Sequence, residues 1–188
     1  SFSWSLVTSS VAAFRYKPKG HIFDVAGMSC FSQTNLLYLL ALCNTKVVMK
    51  ILEIIAPTIN YQCGDIANIP VILSDKECKQ KIENKVESCI NISRNDWDSF
   101  EISWDFQHHP LLRKVSTIAE AFNQWQTECE ERFDQLKANE EEQNRIFIDI
   151  YDLQGELTPE VEDEDVTVRK ADLGRDIRSF ISYAVGCM

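Results

Sequence analysis

The sequence predicts an α+β fold, in which a small mixed β/α module is followed by a mainly α-helical part with one long helix. Two patterns predict it. Residues 4–31 alternate apolar and polar side chains between turn signals, as half-buried strands do. Apolar residues recur at helical spacing through most of the remaining chain. With 45% apolar residues among 188, the chain can bury a core of ordinary size.

The predicted strands flank a turn. VAAFRY (residues 11–16) alternates, KPKG (residues 17–20) carries the turn signals proline and glycine, and HIFDVAG (residues 21–27) is a second β-rich run. We therefore expect a hairpin whose second strand ends at Gly27. Four of its side chains are expected to serve the core: Phe14, Tyr16, Ile22 and Phe23.

A helix is predicted over residues 32–55, which carry apolar side chains at spacings of three and four. Ser32 or Thr34 suits its N-cap, because a hydroxyl there accepts a hydrogen bond from the first turn. Asn44 and Thr45 form a small polar interruption. The pattern therefore predicts either one helix or two shorter helices divided at that point.

Residues 58–73 are expected to form a polar loop that ends in a short strand at Val71–Leu73. A second helix follows over residues 74–92, where a serine or aspartate cap precedes apolar residues at helical spacing. Residues 93–112 break this pattern and contain four large aromatic side chains. We interpret them as an aromatic-anchored connector.

One long helix is predicted over residues 113–152, of which about 38 residues in helical conformation, at roughly 1.5 Å each, would span about 57 Å. Its apolar stripe needs a partner helix or another part of the protein. An acidic loop, residues 158–172, leads to an amphipathic helix over residues 173–188. The predicted parts of the chain are residues 1–75, the β/α module; 76–112, the helical and aromatic connector; and 113–188, the helical spacer.

Charge is unevenly distributed along this acidic chain, whose net charge is −10. Residues 1–50 hold five basic residues against Asp24 alone, which makes them +4 and the remaining 138 residues −14. Such asymmetry is typical of a protein with one end facing a polyanion. The alternative is that the charge varies along the chain without a functional reason.

Cysteine usage and hydropathy predict a cytoplasmic protein without a metal site or membrane contact. The seven cysteines are odd in number and form neither a Cys-x-x-Cys pair nor a zinc-type pattern with histidine. They are expected to be reduced, with several of them packed as small apolar residues. No run of about 18 apolar residues is present to cross a bilayer. Because the chain starts without methionine and ends inside an apolar helical pattern, we also expect a piece of a longer protein.

The sequence carries no recognisable catalytic apparatus. It has no glycine-rich phosphate loop and no Gly-x-Ser-x-Gly nucleophile motif. The adjacent His108 and His109 precede Pro110 and are expected to form a surface turn rather than a metal site. The acidic stretches are typical of solvated faces. No catalytic, cofactor-binding or metal-binding residue is therefore predicted in this chain.

Several stretches resemble known DNA methyltransferases. NLLYLLALCNTKVVMKILEIIAPTINYQCGDIANIPVIL (residues 35–73) is similar to the end of a target recognition domain, as in type I restriction specificity subunits. Four other stretches resemble the C-terminal half of the adenine-specific DNA methyltransferase family of phage-exclusion (BREX) systems, related to restriction-modification methyltransferases. They are AFRYKPKGHIFDVAG, NDWDSFEISWDFQHHPLL, NRIFIDIYDLQGELTPEV and RKADLGRDIRSFISYAVGCM. The resemblance covers nearly the whole chain.

The resemblance implies a target-recognition-type module that reads DNA for an upstream methyltransferase domain of the same protein. The family's Asn-Pro-Pro-Tyr-type motif and its glycine-containing cofactor motif are absent from these 188 residues. Catalysis and the cofactor S-adenosylmethionine are therefore implied for the parent protein and not for this chain. The implied partner is double-stranded DNA in a bacterial cytoplasm, and other subunits of the defence system are left open as further partners.

Eight residues are candidates for DNA contact under this resemblance. Lys17 and Lys19 suit phosphates, and Arg15 suits a guanine edge or a phosphate. A loop offers amide groups of the type that read adenine edges, and one helix face adds two lysines. These remaining candidates are Asn60, Tyr61, Gln62, Lys46 and Lys50. The alternative for each is an ordinary loop amide or a solvated basic side chain.

Two further interpretations remain open. The chain could be a helical protein-interaction scaffold without direct DNA contact, whereas an independent hydrolase has no nucleophile–base pair to support it. Trp97, Trp104 and Phe106 could stack on bases. Four acids surround them against Arg94 alone, which favours packing of the connector onto the recognition module.

Overall fold

The computed structural model describes residues 1–8 and 11–188. Helices predominate, and one small antiparallel sheet lies near the start of the chain, so the predicted α+β class is confirmed. In chain order the elements of the described residues are β1 (Phe2–Ser5), β2 (Arg15–Tyr16), β3 (Gly27–Cys30), α1 (Leu36–Cys43), α2 (Lys46–Ile55), α3 (Cys63–Ala67), α4 (Lys76–Trp97), α5 (Ile118–Ile150) and α6 (Leu173–Gly186).

The chain divides into two compact units, and α4 and α5 each contribute residues to both. Unit 1 consists of residues 1–88 and 139–160, and unit 2 consists of residues 89–138 and 161–188. These divisions fall at other positions than the three parts expected from the sequence. That functional partition stays a prediction.

The sheet of unit 1 has the strand order β2-β1-β3, and β1 is antiparallel to both neighbours. Phe2 lies opposite Tyr16 on one side and opposite Cys30 on the other. The predicted hairpin is therefore wrong, because β1 occupies the place between its two strands. The chain after Tyr16 returns along the length of β1, and Gly27 begins β3 rather than ending a strand.

The pleat of β1 explains this arrangement. Phe2 and Trp4 are both buried, and their rings lie 6.0 and 5.7 Å from that of Phe14. The alternation read in VAAFRY is thus satisfied by β1, with Phe14 in the core as predicted. For Ile22 and Phe23 the core prediction is wrong, since both side chains are exposed, and Tyr16 is also largely at the surface.

The predicted interruption at Asn44 and Thr45 divides the first helical region into α1 and α2. The Asn44 amide nitrogen donates to the carbonyl oxygens of Phe14 and Leu40, at 3.0 and 3.1 Å. Its Oδ1 accepts a 3.0 Å hydrogen bond from the Phe14 backbone nitrogen. The side chain of Asn44 therefore acts as a strand partner for Phe14, which is why the helix stops there. The helix begins at Leu36, later than the predicted caps.

The predicted strand Val71–Leu73 is absent, and this segment is held by two tyrosine hydroxyls instead. Tyr38 donates a 2.7 Å hydrogen bond to the Ile72 carbonyl oxygen. Tyr151 donates a 2.5 Å bond to the Pro70 carbonyl oxygen, and its hydroxyl accepts from the Ile72 nitrogen at 3.3 Å. Backbone groups that a strand would offer to a neighbouring strand are thus bonded to side chains from distant parts of unit 1. The short helix α3 within this predicted loop was not expected.

The long helix is present as α5, 33 residues or about 50 Å. In unit 2 its apolar stripe packs on two clusters. One joins Phe133 and Leu136 to Val161, Val166 and Val168 of the acidic loop. The other surrounds Trp125 and Cys129 and is completed by partly buried Ile177 and Phe180 of α6. Within this unit, the partner that the stripe requires is thus supplied by the chain itself.

Among the described residues, no helix combines the length and the low polarity that crossing a lipid bilayer requires.

Candidate nucleic-acid interface

Arg15 and Lys17 lie at one end of β1. Arg15 pairs with Ser3 in the sheet, and its side chain is exposed. The Lys17 backbone nitrogen donates a 2.8 Å hydrogen bond to the carbonyl oxygen of Ser1, which continues the pairing of β1 with β2 by one step. The Lys17 ammonium donates a 3.0 Å bond to the Ile22 carbonyl oxygen. This bond closes the segment 17–22 into a compact loop.

The remainder of this loop is open to solvent. Lys19 and His21 are exposed, and Gly20 between them has φ +94°, a left-handed conformation that glycine adopts without steric cost. Within residues 1–8 and 11–188, neither Arg15 nor Lys19 forms an ion pair with an acid. Both charges are therefore available to an external anion.

Asp24, the single acidic residue of residues 1–50, is bound to the backbone. Asp24 Oδ1 accepts hydrogen bonds from the nitrogens of Ala26 and Gly27, at 2.9 and 3.0 Å. Such a turn is a common use of aspartate before a strand, because the short side chain reaches its own backbone two or three residues on. The Asp24 carboxylate thus orients the start of β3 and makes no ion pair with the nearby lysines in the described residues.

A cleft of about 600 Å³ lies beside the loop. Phe23 and Phe31 form part of its wall, with ring centroids 5.2 Å apart, and Lys19 and His21 supply its basic groups. Sequence reasoning missed the position of Phe23 because apolar residues after a turn are normally assigned to a core. Its place directly after a basic turn was the available signal, whereas Phe31 follows β3 and carried no such signal.

The candidate amides lie at the other end of β1. The Tyr61 nitrogen donates a 2.8 Å hydrogen bond to the Leu6 carbonyl oxygen, and Trp4 Nε1 donates a 2.9 Å bond to the Tyr61 carbonyl oxygen. The side chains of Asn60 and Gln62 are exposed. The backbone nitrogen of Gln62, in turn, donates to the Asp65 carboxylate at the start of α3. The segment is therefore fixed by its backbone and by the capping box that Gln62 and Asp65 form at the start of α3.

The basic loop, residues 17–22, and the amide segment, residues 60–62, are thus separated along β1. Lys17 bonds to Ser1 and Tyr61 bonds to Leu6, five residues further on. At about 3.3 Å per residue in an extended chain, this separation is about 17 Å. The two groups of candidate residues lie in one unit but not at one point.

Lys46 and Lys50 lie on α2, and their charges are differently placed. The Lys46 backbone nitrogen donates a 3.0 Å bond to Asn144 Oδ1, and its side chain is half-buried. The Lys50 ammonium forms a 2.8 Å ion pair with Glu53. This hydrogen bond raises the pKa of Lys50, and the paired carboxylate offsets its charge. No hydrogen bond or ion pair in the described part of the chain joins these lysines to the basic loop.

The aromatic connector differs from the expectation that its side chains pack. Trp104 is fully exposed, so the prediction that its side chain packs is wrong. Trp97 is about half exposed. Phe106 does pack, with its ring 5.7 Å from that of Tyr183 in unit 2.

The adjacent histidines differ in their exposure to solvent. His108 is exposed, whereas His109 is buried and accepts a 3.2 Å hydrogen bond from the Leu111 nitrogen at Nδ1. The expected surface turn is therefore wrong for His109. Burial lowers its pKa, and the carboxylates of Asp176 and Glu101 oppose that effect in part. Among the described residues, no group of three or more histidine, cysteine or acidic side chains could hold a metal ion.

Comparison with known proteins places the whole chain against one segment of larger enzymes. No family model matches the sequence. The chain is 45% identical over 196 aligned positions to the adenine-specific methyltransferase PglX of Lacticaseibacillus casei (strain Zhang), covering 100% of the chain. It is 27% identical over 98% of its length to the adenine-specific methyltransferase BrxX of Escherichia coli O9:H4 (strain HS). The chain spans 16% of the length of each of these relatives. The predicted resemblance is thereby confirmed: from end to end, the chain corresponds to one segment of PglX-type adenine-specific methyltransferases.

Proposed function

We propose that this chain is the DNA-recognition segment of an S-adenosylmethionine-dependent, adenine-N6, site-specific DNA methyltransferase of a restriction-modification or phage-defence system. The observation that carries the proposal is the similarity of the whole chain to adenine-specific methyltransferases. Since the chain spans about a sixth of those proteins, the transfer of the methyl group falls to the rest of the longer protein. The segment holds duplex DNA and positions the target adenine for that catalytic domain.

The placement of charge in unit 1 supports this assignment. Arg15 and Lys19 are exposed and free of ion pairs within the described residues, and Lys17 keeps two of its three ammonium donors for a phosphate. Contacts of this type supply affinity and register on the duplex without reading its sequence. The basic loop is thus the proposed phosphate-contacting surface.

Recognition of the DNA sequence is assigned to the amide segment. Asn60 and Gln62 present groups that form paired hydrogen bonds with an adenine edge in the major groove. The separation of about 17 Å from the basic loop corresponds to about five base pairs at 3.4 Å each. One duplex laid along β1 would be long enough to span this separation.

The cofactor is assigned to the rest of the longer protein. S-adenosylmethionine carries a positive sulfonium, a positive ammonium and a negative carboxylate group, so it is a net cation. The cleft of unit 1 is lined by Lys19 and His21 and by no carboxylate, so its charge does not fit that molecule. Calorimetric titration of the chain with S-adenosylmethionine should therefore give no binding heat, and tight binding would contradict this assignment.

Salt-dependent binding to duplex DNA tests the proposal. In anisotropy titrations with a labelled duplex, the affinity of the chain should fall steeply as salt rises. Changing Arg15, Lys17 and Lys19 together to Ala should lower the slope of log affinity against log salt by about 2.7, or 0.9 for each lost phosphate contact. The matched control changes three exposed basic residues of unit 2 to Ala: Arg94, Lys114 and Arg178. It alters the net charge equally and should leave the slope nearly unchanged.

The second candidate function is a protein-interaction scaffold. It is favoured by the exposed apolar side chains of α6: Leu173, Ile181 and Val185. Equal salt slopes for the triple variant and its control would favour this alternative. Binding to the methyltransferase part of the longer protein, or to another subunit of the defence system, would then be the expected activity.

A further inference from the structure

We propose that the exposed side chain of Ile22, the apolar tip at the closing end of the basic loop, is a wedge that inserts between stacked base pairs of the bound duplex and kinks it. The inference rests on the proposed function, because it needs the loop to contact DNA. It adds a separate mode of contact, which acts on the stacking of the bases and not on the phosphates.

The first observation is the exposure of the tip. Ile22 is 92% exposed, and Phe23 and Val25 beside it are also exposed. Single apolar residues on a surface are ordinary, but three within four positions, next to exposed Phe31, form a patch of the kind that marks a contact surface. The fold of unit 1 gives these side chains little cover.

The second observation is the way the tip is held. The carbonyl oxygen of Ile22 accepts the ammonium of Lys17 at 3.0 Å, and Gly20 makes the preceding turn with φ +94°. On the other side, Asp24 binds the nitrogens of Ala26 and Gly27. The exposed isoleucine is therefore carried on a loop braced at both ends, which limits the conformational entropy lost on insertion.

The third observation decides the partner. The apolar tip is flanked by Lys17, Lys19 and His21, and the single carboxylate of the loop is bound to backbone nitrogens. An apolar side chain with the ammonium groups of Lys17 and Lys19 beside it fits a ligand with stacked apolar planes between two anionic rails, which describes a nucleic-acid duplex. Isoleucine is among the residues that proteins insert between base steps to unstack and kink DNA.

The test compares a fully paired duplex with one that carries a single unpaired bulged base. Insertion into a paired step costs the free energy of unstacking that step, whereas a step with a bulged base has already lost this stacking. The chain is therefore expected to bind the bulged duplex at least tenfold more tightly in anisotropy titrations at one salt concentration. Ile22→Ala should reduce this preference to less than threefold. Ile181→Ala, an equally conservative change at an exposed isoleucine of unit 2, should leave it intact.

The salt slope separates failure of the wedge from failure of the proposed function. Ile22→Ala removes no charge, so its slope should equal that of the unaltered chain. Equal affinity for both duplexes, or a preference that survives Ile22→Ala, would overturn the wedge. The absence of salt-dependent binding to either duplex would overturn the proposed function and the wedge with it.

Discussion

The indole nitrogen of Trp125 lies 3.1 Å from the Oδ2 oxygen of Asp176 and donates a hydrogen bond to it. Both side chains are buried in unit 2. The same carboxylate accepts hydrogen bonds from the Asp172 nitrogen at 3.1 Å and from Arg175 Nε at 2.6 Å. A buried carboxylate with three donors is well satisfied, as its desolvation requires. Asp176 thereby joins α5 to the first turn of α6.

Asp176→Ala should destabilise the chain by about 3 kcal/mol, because it leaves the Trp125 indole and the Asp172 nitrogen without their acceptor in a buried place. Asp176→Asn keeps one acceptor oxygen and should cost less. Urea unfolding followed by tryptophan fluorescence measures both changes. Asp134→Ala, at an exposed acid of α5, should stay within about 0.5 kcal/mol of the unaltered chain. A similarly small loss for Asp176→Ala would contradict the structural role given to this carboxylate.

Gly20→Ala should destabilise the chain by about 1 kcal/mol, because an alanine Cβ is strained at φ +94°. Space is not the cause, since a Cβ at this position meets no atom within 4 Å. Gly155→Ala is the matched control: its surroundings are equally open and its φ is not positive. Thermal unfolding of the two variants separates the effects. If both shifted the melting temperature alike, the left-handed turn would not be a constraint.

Local signals accounted for much of the helical structure. Asn44 and Thr45 were read as a break, and Asn44 does end α1 by bonding to the backbone of Phe14. Asp75, one of the expected caps of the second helix, accepts a 2.9 Å hydrogen bond from the Cys78 nitrogen at the start of α4. The Asp75 bond lies within three residues, and the break at Asn44 follows from a polar side chain in an apolar run. Both features can therefore be recognised in the sequence.

Partnerships between distant segments were not readable in the same way. Val71–Leu73 has the composition of a strand, but Tyr151, 79 positions from Ile72, bonds to its backbone, and no strand of the described residues pairs with it. Phe23 was likewise assigned to a core on its apolar character, whereas it lines a cleft with Phe31. The basic residues of the candidate interface were found from the charge distribution together with the family resemblance. Their function as DNA contacts stays a prediction.

His109 should make the unfolding free energy depend on pH. Burial holds the pKa of His109 below the ordinary value of 6.5, so the unfolded chain binds more protons as the pH falls. The stability contributed by neutral His109 is therefore full above about pH 6.5 and is lost as the pH decreases below it. The slope for one proton cannot exceed about 1.4 kcal/mol per pH unit.

Comparison of variants isolates this effect from that of Asp96. Burial raises the pKa of Asp96, which acts in the opposite sense, with stability lost as the pH rises above 3.8. His109→Asn keeps an acceptor for the Leu111 nitrogen but cannot become protonated in this range. Its stability relative to the unaltered chain should therefore improve between pH 7 and pH 5, measured by urea unfolding. His108→Asn, at the exposed neighbour, should show no such trend; a trend of equal size there would count against His109.

Lys19→Ala should lower the salt slope of duplex binding by about 0.9, whereas Lys50→Ala should change it by less than half as much. Lys19 is exposed and has no ion pair within the described residues, so a phosphate contact would release one full counterion. Lys50 is already paired with Glu53 at 2.8 Å, which offsets its charge.

Glu53→Gln is the matched control for this comparison, because it frees Lys50 without removing a lysine. If Lys50 faces the duplex, Glu53→Gln should raise the salt slope of binding. If Lys50 does not face the duplex, the slope should not change. Anisotropy titrations over a range of salt concentrations measure all three variants on one duplex. An equal loss of slope for Lys19→Ala and Lys50→Ala would show that net charge governs binding, and it would contradict the assignment of the phosphate contacts to the basic loop.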